Sequence, residues 1–205
     1  QETVEFVLKR QVTHLSCYSL KIEENTPWYE MNKKGELTAV DDELEREMYY
    51  WVVSRLNTPP FKHYEISNFA KPGFECIHNI KYWTDKPYMG FGSAAHSYID
   101  NTRYSNVESP VEYINKINAN KTPIQTTDGV SDDERLSEML ILGLRLIDGV
   151  NLEGLRQEFG RKSLKKYDEK IKMLMNKGLL CIEKGNLKLT NLGLDFANLV
   201  WVEFL

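Results

Sequence analysis

Cysteine is scarce in this chain of 205 residues: Cys17, Cys76 and Cys181 are its only three, and they lie far apart. Their odd number and wide separation exclude a disulfide framework and the close spacings of metal knuckles, and point to a reduced, cytoplasmic chain. No apolar run approaches the length that spans a bilayer. Nor is there a basic excess: 26 Lys and Arg against 30 Asp and Glu leave a net charge of −4, which argues against a generally basic nucleic-acid binder. The chain opens on Gln1 without a signal-peptide pattern and reads as a piece of something longer. What is present is a 41% hydrophobic composition with 11 tyrosines and 4 tryptophans, enough to bury one large core or two small ones.

The first segment, "TVEFVLKRQ", has Val4, Val7 and Leu8 at helical spacing, and "VTHLSCYSLKIE" reads as a strand. A strand with apolar and small residues on both faces is expected to want parallel neighbours, although pairing with "HYEISNF" is open to it. "EENTPWYEMNKKGE" is turn-rich. Asp41 then opens a helix with an apolar stripe of Leu44, Met48, Trp51, Val52 and Leu56, ended by Pro59-Pro60. From Phe61 to Asn106 the pattern is irregular, with short extended pieces and many aromatics. Ser109-Pro110-Val111-Glu112 caps a short helix running to about Asn120, and "NKTPIQTTDG" has linker character.

Beyond it the style changes. Ser131-Asp132-Asp133-Glu134 is a second capping box. Asn151 caps a short helix ending at Gly160, Ser163 starts a longer one stopping at Gly178, and "LLCIE", a "KGN" turn and "LKLT" form a hairpin. Thr190 caps a last helix. This order is that of a winged helix-turn-helix, with residues 1–127 and 128–205 as the two expected domains. A winged helix raises the question of DNA. Lys165, Lys166, Lys170 and Lys172 would suit phosphates, but Asp168 and Glu169 interrupt them, and residues 131–205 carry 12 basic against 12 acidic side chains. A solvated face in a packing domain is the expected reading.

Candidate chemistry sits in the middle. Gly90-Phe91-Gly92-Ser93-Ala94-Ala95 matches a dinucleotide fingerprint, yet the following residues look extended and Pro110 comes too soon for a crossover helix, so that reading is rejected. The glycines are expected to allow close backbone approach instead. His96, among small residues, is expected to be a hydrogen-bonded core histidine, and His63 carries no signal. His14, Ser16 and Tyr18 share one strand face, either lining a site or forming a polar packing layer. His78 differs by its company in "ECIHNIKYW", where Tyr82 and Trp83 supply flat apolar surface. A loop presenting one imidazole beside aromatics suits haem, a planar apolar disc whose iron needs axial ligands. From the residues alone, ligand and packing under a loop both stay open, packing being the default, and Cys76 reads as an inert thiol.

The stretch "HYEISNFAKPGFECIHNIKYWTDKPYMGFGSAAHSY", with "LSCYSLKIEENTP" before it, resembles the oxygen-independent coproporphyrinogen III oxidase family of radical SAM proteins, and in particular its haem-chaperone branch. "LGLRLIDGVNLEGLRQEFG" and "GLLCIEKGNLKLTNLGLDFANLV" resemble that family's C-terminal winged-helix domain. The resemblance implies an α/β (α+β) fold: the C-terminal fragment of a partial (β/α) radical SAM barrel followed by a winged-helix-like domain. It implies a [4Fe–4S] cluster on a CxxxCxxC triplet, and S-adenosylmethionine, in the whole protein. The triplet and the glycine-rich SAM segments are not in this chain, which by itself is expected not to run radical chemistry.

The family's haem-binding HNxxYW motif falls on His78, Asn79, Tyr82 and Trp83. The resemblance thus implies haem binding and delivery, with His78 as ligand or anchoring donor, Tyr82 and Trp83 facing the porphyrin, and Asn79 fixing the loop. Coproporphyrinogen oxidation is the alternative. The implied partners are haem or porphyrin and haem-accepting proteins, with a membrane-associated acceptor and a homodimer considered and nucleic acid not expected.

Overall fold

The structure is a computed structural model describing residues 1–38 and 40–205. It divides into two compact units, Gln1–Cys76 and Ile77–Leu205. Each is a mixture of helices and small antiparallel sheets.

In the first unit, α1 (Glu2–Leu8) leads to β1 (His14–Ser16), α2 (Pro27–Lys33), α3 (Asp42–Leu56), β2 (Lys62–Glu65) and β3 (Asn68–Ala70). The expected parallel neighbours of β1 are not what it pairs with here. It lies antiparallel to β3, with Leu15 opposite Phe69, in a sheet of order β1-β3-β2. The alternative pairing is therefore the observed one, because the turn at Ile66–Ser67 folds "HYEISNF" back on itself and offers β3 as a partner. The "turn-rich" stretch contains a helix: Thr26 caps α2 through the Tyr29 N–H, with Pro27 at its first position, where proline's missing donor costs nothing.

The apolar stripe of α3 is only half used. Leu56 is buried and Val52 and Val53 pack beside it against Phe61, Phe69 and Leu15. Leu44 and Met48 face solvent, so the expected five-residue stripe is corrected to the last two turns.

The second unit begins with α4 (Ile77–Trp83), followed by β4 (His96–Ile99), β5 (Thr102–Asn106), α5 (Pro110–Asn118) and β6 (Ile124–Gly129). The strands form a sheet of order β4-β5-β6. The segment read as a linker is thus largely strand: Thr127 pairs with Tyr104 and Asp128 with Arg103. The glycine-rich "GFGSAA" is a bend and turn without a following helix. A Cβ on Gly90 would lie 2.3 Å from the His96 carbonyl oxygen, so close backbone approach is the reason for that glycine. His96 itself is exposed, not a core histidine: it stands at the first position of β4, on the same strand face as Tyr98 but at the uncovered end of the strand.

Then come α6 (Asp132–Gly143), β7 (Val150–Asn151), α7 (Leu152–Phe159), α8 (Arg161–Lys165), α9 (Asp168–Asn176), β8 (Leu180–Glu183), β9 (Asn186–Leu189), α10 (Asn191–Asp195) and α11 (Ala197–Val202). The winged-helix order is present with two refinements. The wing has a third strand, since β7 pairs with β9 through Val150 and Leu187. The helix expected from Ser163 to Gly178 is two helices, broken at Lys166–Tyr167, where the Tyr167 ring turns in against Phe204. Ser131 and Glu134 form the anticipated reciprocal capping box, and Asn151 and Thr190 cap α7 and α10. Leu136, Leu140, Leu155, Leu174, Leu187, Val200 and Phe204 close one buried core, each such side chain contributing about 1.5–3 kcal/mol of burial. The boundary expected at 127/128 falls within β6, inside this unit, and stays a proposed division of domains.

Candidate functional site

The residues around His78 form a helix, not a loop. Within α4, His78 and Tyr82 are four apart, as are Asn79 and Trp83, so HNxxYW is two i,i+4 pairs on neighbouring faces of one helix. The first pair is exposed and the second half-buried. His78 Nε2 lies 2.9 Å from the Tyr82 hydroxyl, and the two rings meet edge to face at 5.1 Å. Tyr82 in turn packs against Tyr88 at 4.4 Å, and Tyr88 is fixed by its backbone bonds to Tyr98. Burial raises the phenol pKa of both Tyr88 and Tyr98, which keeps these two supports neutral. Exposed apolar side chains lie nearby in the sequence of this unit: Ile77, Met89 and Phe91.

The last turn of α4 is closed by its surroundings. Lys86 N–H donates to the Lys81 carbonyl and the Thr84 hydroxyl to that of Ile80. Asp85, at φ 51°, is the left-handed residue of this closure. Its carboxylate accepts from Arg135 Nε at 3.0 Å and Nη2 at 2.7 Å. Arg135 also bonds Glu158 and Asp132 and lies over the Phe159 ring. Burial opposes its charge, but the hydrogen bonds it donates to Asp85 and Glu158 outweigh that and hold its pKa above the ordinary arginine value. Nothing in the sequence singled out Asp85 or Arg135, because they are 50 residues apart and meet only through the fold.

The other sequence candidates lie elsewhere. His14 and Ser16 belong to the first unit, where His14 Nε2 sits 2.8 Å from the Tyr64 hydroxyl and Ser16 donates to Asn68 at 2.7 Å. Asn68 and the Ser67 N–H donate to buried Glu65, so this face is a polar packing layer. The Cys76 N–H donates to the Tyr64 hydroxyl, and burial raises the Cys17 thiol pKa. Among the described residues no three His, Cys, Asp or Glu side chains gather as a metal site. The described residues, with Cys17, Cys76 and Cys181 apart, do not fit an iron–sulfur cluster. They do fit an iron porphyrin at His78: a solvent-reachable imidazole, a phenol hydrogen-bonded to it, and exposed apolar surface.

Comparison with known proteins defines the class. Residues 130–196 match the HemN C-terminal domain. The chain takes the fold of about half of a solved radical SAM enzyme, coproporphyrinogen III oxidase (HemN) from Escherichia coli, with a TM-score of 0.71 over 99% of this chain and 51% of that one at 15% identity. It is 36% identical over all of its length to heme chaperone HemW of Bacillus subtilis, covering 54% of that protein. It is 32% identical to heme chaperone HemW of Lactococcus lactis over 98% of this chain and 53% of that protein. The chain therefore belongs to the HemN/HemW family, as a mixed α/β piece that includes its C-terminal domain. It spans about half the length of the curated relatives it matches.

Proposed function

We propose that this chain is the haem-binding part of a haem chaperone, the whole protein receiving haem and passing it to haem-dependent acceptors. The observation that carries the reading is the exposed His78–Tyr82 pair on α4. An imidazole within hydrogen-bond reach of a phenol, on a solvent face, offers a nitrogen donor and an aromatic surface without requiring the fold to open. In this reading His78 is the ligand or anchoring donor and Tyr82 the porphyrin-facing ring. Asn79 and Trp83, on the half-buried face, orient the helix, and the edge of Trp83 completes the porphyrin surface. Heme chaperones among the relatives favour this function. The whole protein would add a [4Fe–4S] cluster and S-adenosylmethionine, held by residues outside this chain. A membrane-associated acceptor and a homodimer belong to the same proposal, as does a cytoplasmic location. Among the described residues no helix is long and apolar enough to cross a membrane.

Titration of hemin into the protein and into His78→Ala tests this. A weaker affinity and an altered Soret band in the variant are expected; an unchanged band and affinity remove His78 from the site. The second reading, oxidative decarboxylation of coproporphyrinogen III by the whole protein, is favoured by the fold match to HemN. Turnover of coproporphyrinogen by the reconstituted whole protein with S-adenosylmethionine and a reductant would overturn the choice between them. Nucleic-acid binding is set aside. Lys166 is paired with Asp133 and Lys172 with Glu169, and Lys170 donates to the Glu203 carbonyl, so much of the basic face is occupied within the chain.

A further inference from the structure

A seven-residue helix is marginal by itself and is held by what it packs on. For α4 the supports are few and identifiable. Beside Trp83, α6 comes into ordinary contact: a Cβ built on Gly143 would lie 3.6 Å from the Trp83 carbonyl oxygen, the tight approach at that glycine being to Val150. Two residues beyond Trp83, Asp85 occupies a left-handed backbone position that glycine would fill at lower conformational cost. An aspartate at such a position calls for a compensating role. Here its side chain is only 11% exposed and meets Arg135, itself 13% exposed, across the joint between α4 and the first turn of α6. Arg135 lies within the HemN C-terminal domain, and the capping box at Ser131 and Glu134 fixes the turn that carries it.

We infer that the Arg135–Asp85 pair is the positioning device of the site: it pins the C-terminal end of α4 to the C-terminal domain and so sets the direction in which His78 and Tyr82 face. Neither residue touches the proposed ligand. Both act through the helix, so the winged-helix-like domain serves as the mount of the haem-proposed surface. The inference rests on the haem reading for its consequence but not for its anchoring step. Glu158 shares Arg135 without contributing to α4, which supplies an internal control.

Arg135→Ala endangers folding, since it strands Glu158 and uncovers Phe159. Asp85→Asn and Asp85→Gly are the better variants: asparagine tolerates the same backbone, and glycine prefers it. Amide hydrogen exchange is measured first, without ligand. Faster exchange at residues 78–83 in both variants is expected, with α9 unchanged and with Glu158→Gln like the parent chain. Hemin titration follows. Both Asp85 variants are expected to bind about tenfold more weakly, the scale on which supporting groups act on a ligand, with the Soret band displaced toward that of His78→Ala. Glu158→Gln should leave band and affinity in place.

Wild-type exchange in Asp85→Gly would overturn the inference, as would faster exchange combined with unaltered hemin binding. Equal weakening by Glu158→Gln would also overturn it, by reducing the cluster to general stability. Hemin binding that survives His78→Ala intact would sink the haem reading instead. The exchange measurement would then still decide whether the pair fixes α4.

Discussion

Residues 1–76 and residues 130–205 are both well supplied with apolar side chains, yet they use them differently. In the C-terminal part the apolar residues converge: Leu136, Leu140, Leu174, Leu187 and Phe204 are almost inaccessible. In the first unit the buried apolar core is Leu56, Phe61 and Phe69 with partly buried neighbours, while Leu20, Val40, Leu44 and Met48 stay exposed. Leu20, Val40 and Met48 line a groove of about 550 Å³ together with Ile22, Leu37 and Val52. The difference teaches that apolar content does not decide burial. What decides it is whether neighbouring elements present complementary faces, as the three-stranded wing and α6, α7 and α9 do for one another.

The strongest way to break this contrast is to cut into the dense core. Leu140→Ala is expected to cost about 2–5 kcal/mol, read as a lower urea midpoint by far-UV circular dichroism. A loss under about 1 kcal/mol would mean the core collapses onto the gap and is looser than its burial indicates. Ser131→Ala removes the cap of α6 and should cost about 1 kcal/mol in the same measurement.

A smaller effect, tied to pH, should appear in the first unit alone. Burial lowers the pKa of His63, with bonds to the Ile66 carbonyl and the charge of Glu65 offsetting only part of it. The neutral ring stacks on Phe69 at 4.5 Å. Below the ordinary histidine value of about 6.5 the unfolded chain binds a proton that the folded unit resists, so stability rises with pH and is lost as pH falls through that range. Amide protection factors across β2 and β3, taken relative to the intrinsic exchange rate at each pH, should therefore fall from pH 7 toward pH 5, with a shallower dependence in His63→Gln. An equal slope in the two proteins would exclude His63 as the cause. Smallest of all, Met48→Gln on the exposed part of α3 should alter stability by no more than about 0.5 kcal/mol. A larger loss would show that the groove is packed in solution.

Much of the second unit was legible because its signals are local. Ser109, Ser131, Asn151 and Thr190 each cap the helix their spacing predicts, and the "KGN" turn joins β8 to β9 as a hairpin. Less was legible between Phe61 and Asn106. "IHNIKYW" lacks a capping residue and is too short for a clear period, so aromatic crowding suggested a loop where the chain forms α4. His14 and Ser16 were placed together correctly, but whether they lined a site or a packing layer depended on Tyr64 and Asn68, some 50 residues away.

By itself the sequence determined the mixed α/β class, the winged-helix order and the motif His78-Asn79-Tyr82-Trp83, because caps, turns and spacing act over a few residues. Only the tertiary structure decided that His78 and Tyr82 face solvent while Asn79 and Trp83 turn inward, and that Asp85 is held by Arg135. The reason is physical. A helix makes both i,i+4 pairs regardless of surroundings, but which pair is exposed is set by the element packed against it, and here that element is α6, whose Arg135 lies 50 residues beyond Asp85.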